Sequence, residues 1–135
     1  MQESSNIPAQ ISTVEIIDLI YSGRIQPAHI ILLQKEFLWN DQALADILQV
    51  GMEKIGSWKL SESGIEERFQ EHIILLLSLF EQGKEVFGSA ADFRKWLYSE
   101  NFHFEGNQPL TYLKLIHGIK FVSARLTGME WGDNA

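Results

Sequence analysis

The run Ile73-Ile74-Leu75-Leu76-Leu77, followed by Leu79 and Phe80, constrains this chain more than any other feature. It sits inside a helical pattern expected from Ile65 to Phe87, about 35 Å long at ~1.5 Å per residue. Wound as a helix, the run is apolar around most of its circumference, and a helix apolar on all sides is buried on all sides. In a chain of 135 residues that leaves two arrangements. Either this helix is the central core of one domain, or it is shared between subunits in a homodimer with a large apolar interface. Five apolar residues are too few to span a bilayer.

Helical spacing continues on both sides, and no period-two segment competes with it, so the expected fold class is all-α. Residues 1–12 are polar, contain Pro8 and read as a flexible arm. Thr13 is expected to cap a first helix carrying Val14, Ile16, Ile17 and Ile20 and ending near Ser22-Gly23. Pro27 suits the first turn of a second helix, whose apolar set is Ile30, Ile31, Leu33, Phe37 and Leu38. Asn40 caps a short helix from Asp41 to about Gln49. Gly51 interrupts it, and Met52 to Lys59 forms another.

Ser63 with Glu66 spells a capping box at the start of the long helix. Ser89 with Asp92 repeats that signal for a helix through Trp96, Leu97 and Tyr98. The stretch 100–108 reads as a loop. Pro109 opens a helix to His117, with Gly118 as its stop or as a point where two helices meet tightly. A last helix, Ile119 to Thr127, is expected to end at Gly128, leaving 129–135 as a tail. The chain therefore divides into an arm (1–12), a helix-turn-helix-like region (13–64), a connecting or dimerisation helix (65–88) and a C-terminal unit (89–135).

Composition removes several function classes. There is no cysteine, so disulfides, thiolate chemistry and Cys-ligated zinc or iron–sulfur centres are out of reach. The four histidines, His29, His72, His103 and His117, lack the i, i+4 spacing of a helical metal pair. No nucleophile elbow, dinucleotide fingerprint or P-loop occurs. No catalytic residue, cofactor or metal is expected, and a small enzyme built on His103 or His117 ranks last because nothing orients either ring. Met1 to Gln10 lacks the basic start of a signal peptide, so a soluble cytoplasmic protein is the expectation. The net charge is −7, and the segment 36–71 holds eight acids against three bases. Nucleic-acid binders draw most non-specific affinity from a basic surplus, which is missing here.

Two segments carry more than generic helix. Around Gly51, Ala45 is a small contact residue, and Ile55 and Trp58 form the inward face of a second helix, as in a helix-turn-helix. The outward face would offer Lys54, Ser57 and Lys59 to DNA, with the acid Glu53 beside them. An αα-corner that only packs explains the same pattern. The second segment runs from Val86 to the end of the chain. Phe87-Gly88, Trp96-Leu97, Gly106, Pro109-Leu110, Gly118, Val122, Leu126 and Gly132 recur there as in a compact helical unit, with Trp96, Leu97, Pro109 and Gly118 specifying the fold. Trp131 stands in the tail between Met129, Glu130 and Gly132. Its ring is either an exposed anchor for a partner or folds back on its own helix.

This ordered set resembles the C-terminal toxin-binding domain of the Xre/MbcA/ParS antitoxins. The upstream segment from Leu38 to Lys59 is similar to their Xre-type helix-turn-helix, with Arg68 where they often carry an arginine. The likeness spans about Ile30 to Gly132, with Gln49 standing where the family usually has glycine. It implies the antitoxin of a type II toxin–antitoxin pair: a homodimer that blocks a cognate RES-type, NAD-consuming toxin and in many cases represses its own operator. The residues expected to meet the toxin are Arg125, Met129, Glu130, Trp131 and Gly132. A transcriptional regulator acting through Lys54, Ser57 and Lys59, and an orphan helical interaction module, are the alternatives.

Overall fold

In a computed structural model of the chain, residues 6–132 are described. They form seven α-helices, two 3-10 segments and no strand. The helices are α1 (Thr13–Tyr21), α2 (Pro27–Phe37), α3 (Asp41–Leu48), α4 (Met52–Lys59), α5 (Glu67–Phe87), α6 (Ala90–Leu97) and α7 (Ile116–Glu130). The 3-10 segments are Phe102–Phe104 and Pro109–Lys114. The protein is all-α.

The apolar run of α5 resolves in favour of the central helix. Ile73, Ile74, Leu76 and Phe80 are wholly buried within a single chain, covered by α1, α2, α6 and α7. The run is thus enclosed by this chain's own helices, with only the Leu75–Leu79 edge of α5 reaching the groove beside α1. One continuous core runs from Ile7 on the N-terminal side to Leu126 on the C-terminal side. The segment read as a connector is its axis.

Aromatic rings tie the layers together. Trp39 stacks on Phe37 at 4.2 Å, Phe37 meets Phe80 of α5 at 4.8 Å, and Phe80 meets Phe93 of α6 at 5.3 Å. Trp96 then contacts Phe104, and Phe104 contacts Phe121 of α7 at 5.4 Å. Edge-to-face pairs of this kind add to simple area burial.

Several local expectations are corrected. Ser12, not Thr13, caps α1: its hydroxyl accepts from the Glu15 amide while Glu15 reaches back to the Ser12 amide. The Ser63–Glu66 capping box does not form. Ser63 Oγ pairs with Ser57 Oγ instead, and α5 begins after Glu66 without a side-chain cap. Ile31 and Leu38 belong to no core, being 49% and 70% exposed. The 100–108 loop contains the 3-10 turn Phe102–Phe104, capped by Asn101.

The largest correction lies in the last third. Pro109 opens a 3-10 segment rather than an α-helix, Leu115 is extended, and α7 runs unbroken through Gly118 and Gly128 to Glu130. Gly118 stops nothing. It lets the first turn of α7 pack on the preceding segment, because a Cβ there would stand 1.8 Å from the Tyr112 carbonyl oxygen. Gly83 serves the α5–α6 contact in the same way, its missing Cβ leaving room for the Phe93 ring.

The arm read as flexible is docked over its described part. Ile7 is 3% exposed, and Ser78 of α5 donates to the Pro8 carbonyl and accepts from the Ile11 amide. Residues 1–5 of that arm, and 133–135 of the tail, lie outside the described residues.

Candidate functional site

The two segments singled out in the sequence are treated very differently by the fold. In the α3–α4 corner, Ala45, Ile55 and Trp58 are buried. The chain turns through Gln49, whose φ of 58° is left-handed, a conformation that glycine adopts without a Cβ penalty. The Gln49 amide group donates to the Lys114 carbonyl at 3.0 Å, tying this turn to the C-terminal half.

The outward donors of α4 are engaged within the chain. Lys54 pairs with Glu66 at 3.2 Å, Lys59 with Asp41 at 2.9 Å, and Ser57 with Ser63 at 2.8 Å. A hydrogen bond from Gln34, with one from Lys59, holds the Asp41 carboxyl below its usual range. Bonding to its own backbone amide, helped by Lys54, does the same for Glu66. Glu53 is exposed beside them. This face presents neutralised pairs and a bare acid, not a row of cations.

The histidines fall into structural roles or open solvent. His29 Nδ1 accepts from the Gln26 amide at the start of α2. His72 is buried and its Nε2 lies 2.8 Å from the Leu113 carbonyl. As the acceptor is a carbonyl, Nε2 carries the proton, and burial pushes this imidazole below its ordinary value. His103 and His117 are exposed.

The C-terminal unit keeps its apolar surface uncovered. Ile119, Val122 and Leu126 bury one face of α7. The opposite face carries His117, Phe121, Ala124, Gly128 and Trp131, spaced as one stripe along the helix. Phe121 is 50% and Trp131 86% exposed, so the Trp131 ring is not folded back on α7. Two aromatic rings thus stand at the ends of a stripe whose middle is Ala124 and Gly128. Phe102, 90% exposed on its 3-10 turn, adds a further ring within the same unit.

The residues expected to meet a partner divide accordingly. Glu130, Trp131 and Gly132 are exposed. Arg125 is half-buried, and Met129 packs against the core, so Met129 supports the surface from beneath rather than projecting from it. Met129 and Glu130 are the last residues of α7, not part of a tail. Sequence reasoning missed Phe121 and Ala124, although their spacing to Trp131 was readable once α7 is taken as continuous. Trp96, Leu97 and Pro109 lie buried beneath this surface.

Among the described residues, no helix is long and apolar enough to cross a membrane. No curated protein matches the chain. One family model does: that of the antitoxin Xre/MbcA/ParS C-terminal toxin-binding domain, over residues 82–132. This interval starts in the last turns of α5 and closes just beyond Trp131. Over residues 82–132 the chain is therefore similar to the Xre/MbcA/ParS antitoxin C-terminal toxin-binding domain.

Proposed function

We propose that the protein is the antitoxin of a type II toxin–antitoxin pair and inhibits its toxin by covering it rather than by chemistry. The observation that carries this reading is the uncovered aromatic stripe of α7 within the interval matched by a toxin-binding domain. Interface energy concentrates in a few large side chains, with Trp prominent among them, and Trp131 is such a side chain held at a helix end. Glu130, Trp131, Gly132 and the edge of Arg125 are the contact set, with Phe121 added. The partner we propose is a RES-type toxin that consumes NAD, acting with the antitoxin in the cytoplasm.

Operator binding through Lys54, Ser57 and Lys59 takes second place. Each of those groups already has a partner in the chain, and freeing a lysine from its carboxylate would offset part of what a phosphate contact contributes. A homodimer, if formed, draws on a surface other than α5. The outer face of α1, with Val14 and Tyr21 each 76% exposed, is one apolar surface on the N-terminal side, where Leu38 and Leu60 are exposed as well.

Co-expression with the product of the adjacent reading frame tests the proposal. The expected result is growth arrest by the neighbour alone, with growth restored as a stable complex forms. A harmless neighbour that does not co-purify would reject the antitoxin reading.

A further inference from the structure

Two polar pairs interrupt otherwise apolar helix faces, each at i, i+4 spacing: Ser78 and Gln82 on α5, Ser123 and Thr127 on α7. Gln82 is 1% exposed and fully engaged. Its Nε2 donates to the Ser123 carbonyl and to Thr127 Oγ1, each at 3.1 Å, and its Oε1 accepts from Ser123 Oγ at 2.7 Å. Thr127 Oγ1 also donates to the Ser123 carbonyl and accepts from Gln10 Nε2 at 2.9 Å. Its one donor and two acceptor positions are all used.

The last of those bonds comes from the N-terminal arm. The arm is pinned beside it by the buried Ile7 and by the two backbone groups that Ser78 satisfies. Gln10 itself holds a left-handed φ of 52°, a conformation uncommon for a residue with a side chain. Helix packing on this flank is otherwise thin. No residue of α1 is buried, and a groove of about 410 Å3, floored by Leu75, Leu79 and Ile119, separates α1 from α5 and α7. Thr127 lies one helical turn before Trp131.

We infer that residues 7–11 act as a strap, and that Gln10, Ser78, Gln82 and Thr127 are positioning residues for the C-terminal half of α7. The strap fixes the helix end that carries Trp131, so arm docking and partner binding are linked. The importance of that helix end rests on the toxin-binding reading; the mechanical coupling does not.

Hydrogen exchange of the free full-length chain tests the strap without any toxin. Two variants act on the arm by different routes, both keeping the Ser78 acceptor so that the Ile11 amide reports release: Gln10→Ala removes the bond to Thr127, and Ile7→Asp expels the buried side chain. Local opening free energies differ between cooperative units of one fold. In whichever variant exposes the Ile11 amide, the amides of 123–131 are expected to exchange roughly fivefold or more faster, with α3 and α4 unchanged. An exposed Ile11 amide with unaltered exchange over 123–131 overturns the inference. So does equal acceleration in α3 and α4, which would make the arm a general part of the core. So would continued protection of Ile11 in both variants, because these contacts would then not be what holds the arm.

Discussion

The α3–α4 corner and the longer α6–α7 unit each bury an apolar face, yet their outer surfaces are opposite in kind. On α4, polar groups that face outward find partners nearby: Lys54 meets Glu66, Lys59 meets Asp41, Ser57 meets Ser63. On α7, Trp131 faces outward uncovered, and Phe121 is half-exposed with one side against Phe104 and Tyr112. Exposed ion pairs contribute little either way, whereas a contiguous exposed apolar surface marks a place where something docks. The lesson is that the region with more recognisable DNA-binding grammar is the region with less left to offer a partner.

The sharpest way to break the C-terminal side is Gly118→Ala. Its Cβ would collide with the Tyr112 backbone, which has no rotamer to yield, so a loss of about 3 kcal/mol is expected. The same change at Gly56 of α4, where nothing lies within 4 Å of a new Cβ, is expected to stabilise by about 0.5–1 kcal/mol through better helix propensity. Thermal melts of the two variants should move in opposite directions. Equal shifts would remove the contrast in packing.

Trp131→Ala addresses the surface rather than the fold. A loss of at least about 2 kcal/mol in toxin affinity is expected, with a change in unfolding free energy within about 0.5 kcal/mol. Calorimetric titration and a melt read the two quantities separately. Lost stability with unchanged affinity would make Trp131 a packing residue.

His72 supplies a pH test of the joint between the halves. Its folded value is pushed down by burial, so the unfolded chain binds the proton first as pH falls. Stability is therefore full above about pH 6.5 and declines below it, by at most about 1.4 kcal/mol per pH unit, until the folded imidazole titrates. His72→Gln should flatten that limb in denaturant melts between pH 6.5 and 5. Carboxylates such as Asp41 and Glu66, whose values are lowered, act at more acid pH. The smallest effect is expected on the N-terminal side: Lys54→Ala should cost under about 1 kcal/mol. Retention of duplex DNA by the unaltered protein at physiological salt, lost in Lys54→Ala, would reverse the ranking of the two surfaces.

Much of this arrangement was legible in the residues. The all-apolar run of α5, Pro27 at the start of α2, Asn40 and Ser89 as caps, and the Gly51 break each act through local chemistry that a sequence displays. What failed was tertiary in origin. Ser63-Gly64-Ile65-Glu66 has the letters of a cap, but Ser57 lies close enough to pair with the Ser63 hydroxyl. Gly118 has the look of a helix terminator, yet its role is set by the Tyr112 carbonyl lying against it. The exposed stripe of α7 went unread for that reason, since a break at Gly118 and another at Gly128 cut the spacing that joins His117, Phe121, Ala124 and Trp131. The arm was misread because what holds Pro8 and Ile11 is Ser78, some 70 positions away on α5.

The unbroken course of α7 has a mechanical consequence. From the contact at Gly118 to Trp131 the helix extends about 20 Å at ~1.5 Å per residue. A tilt of about 10° about that pivot would sweep the indole through about 3.5 Å, roughly one carbon–carbon contact distance. The aim of the exposed ring thus depends on both ends of a stiff lever: the fulcrum seated by a single absent methyl group at Gly118, and the contacts of Thr127 near its tip.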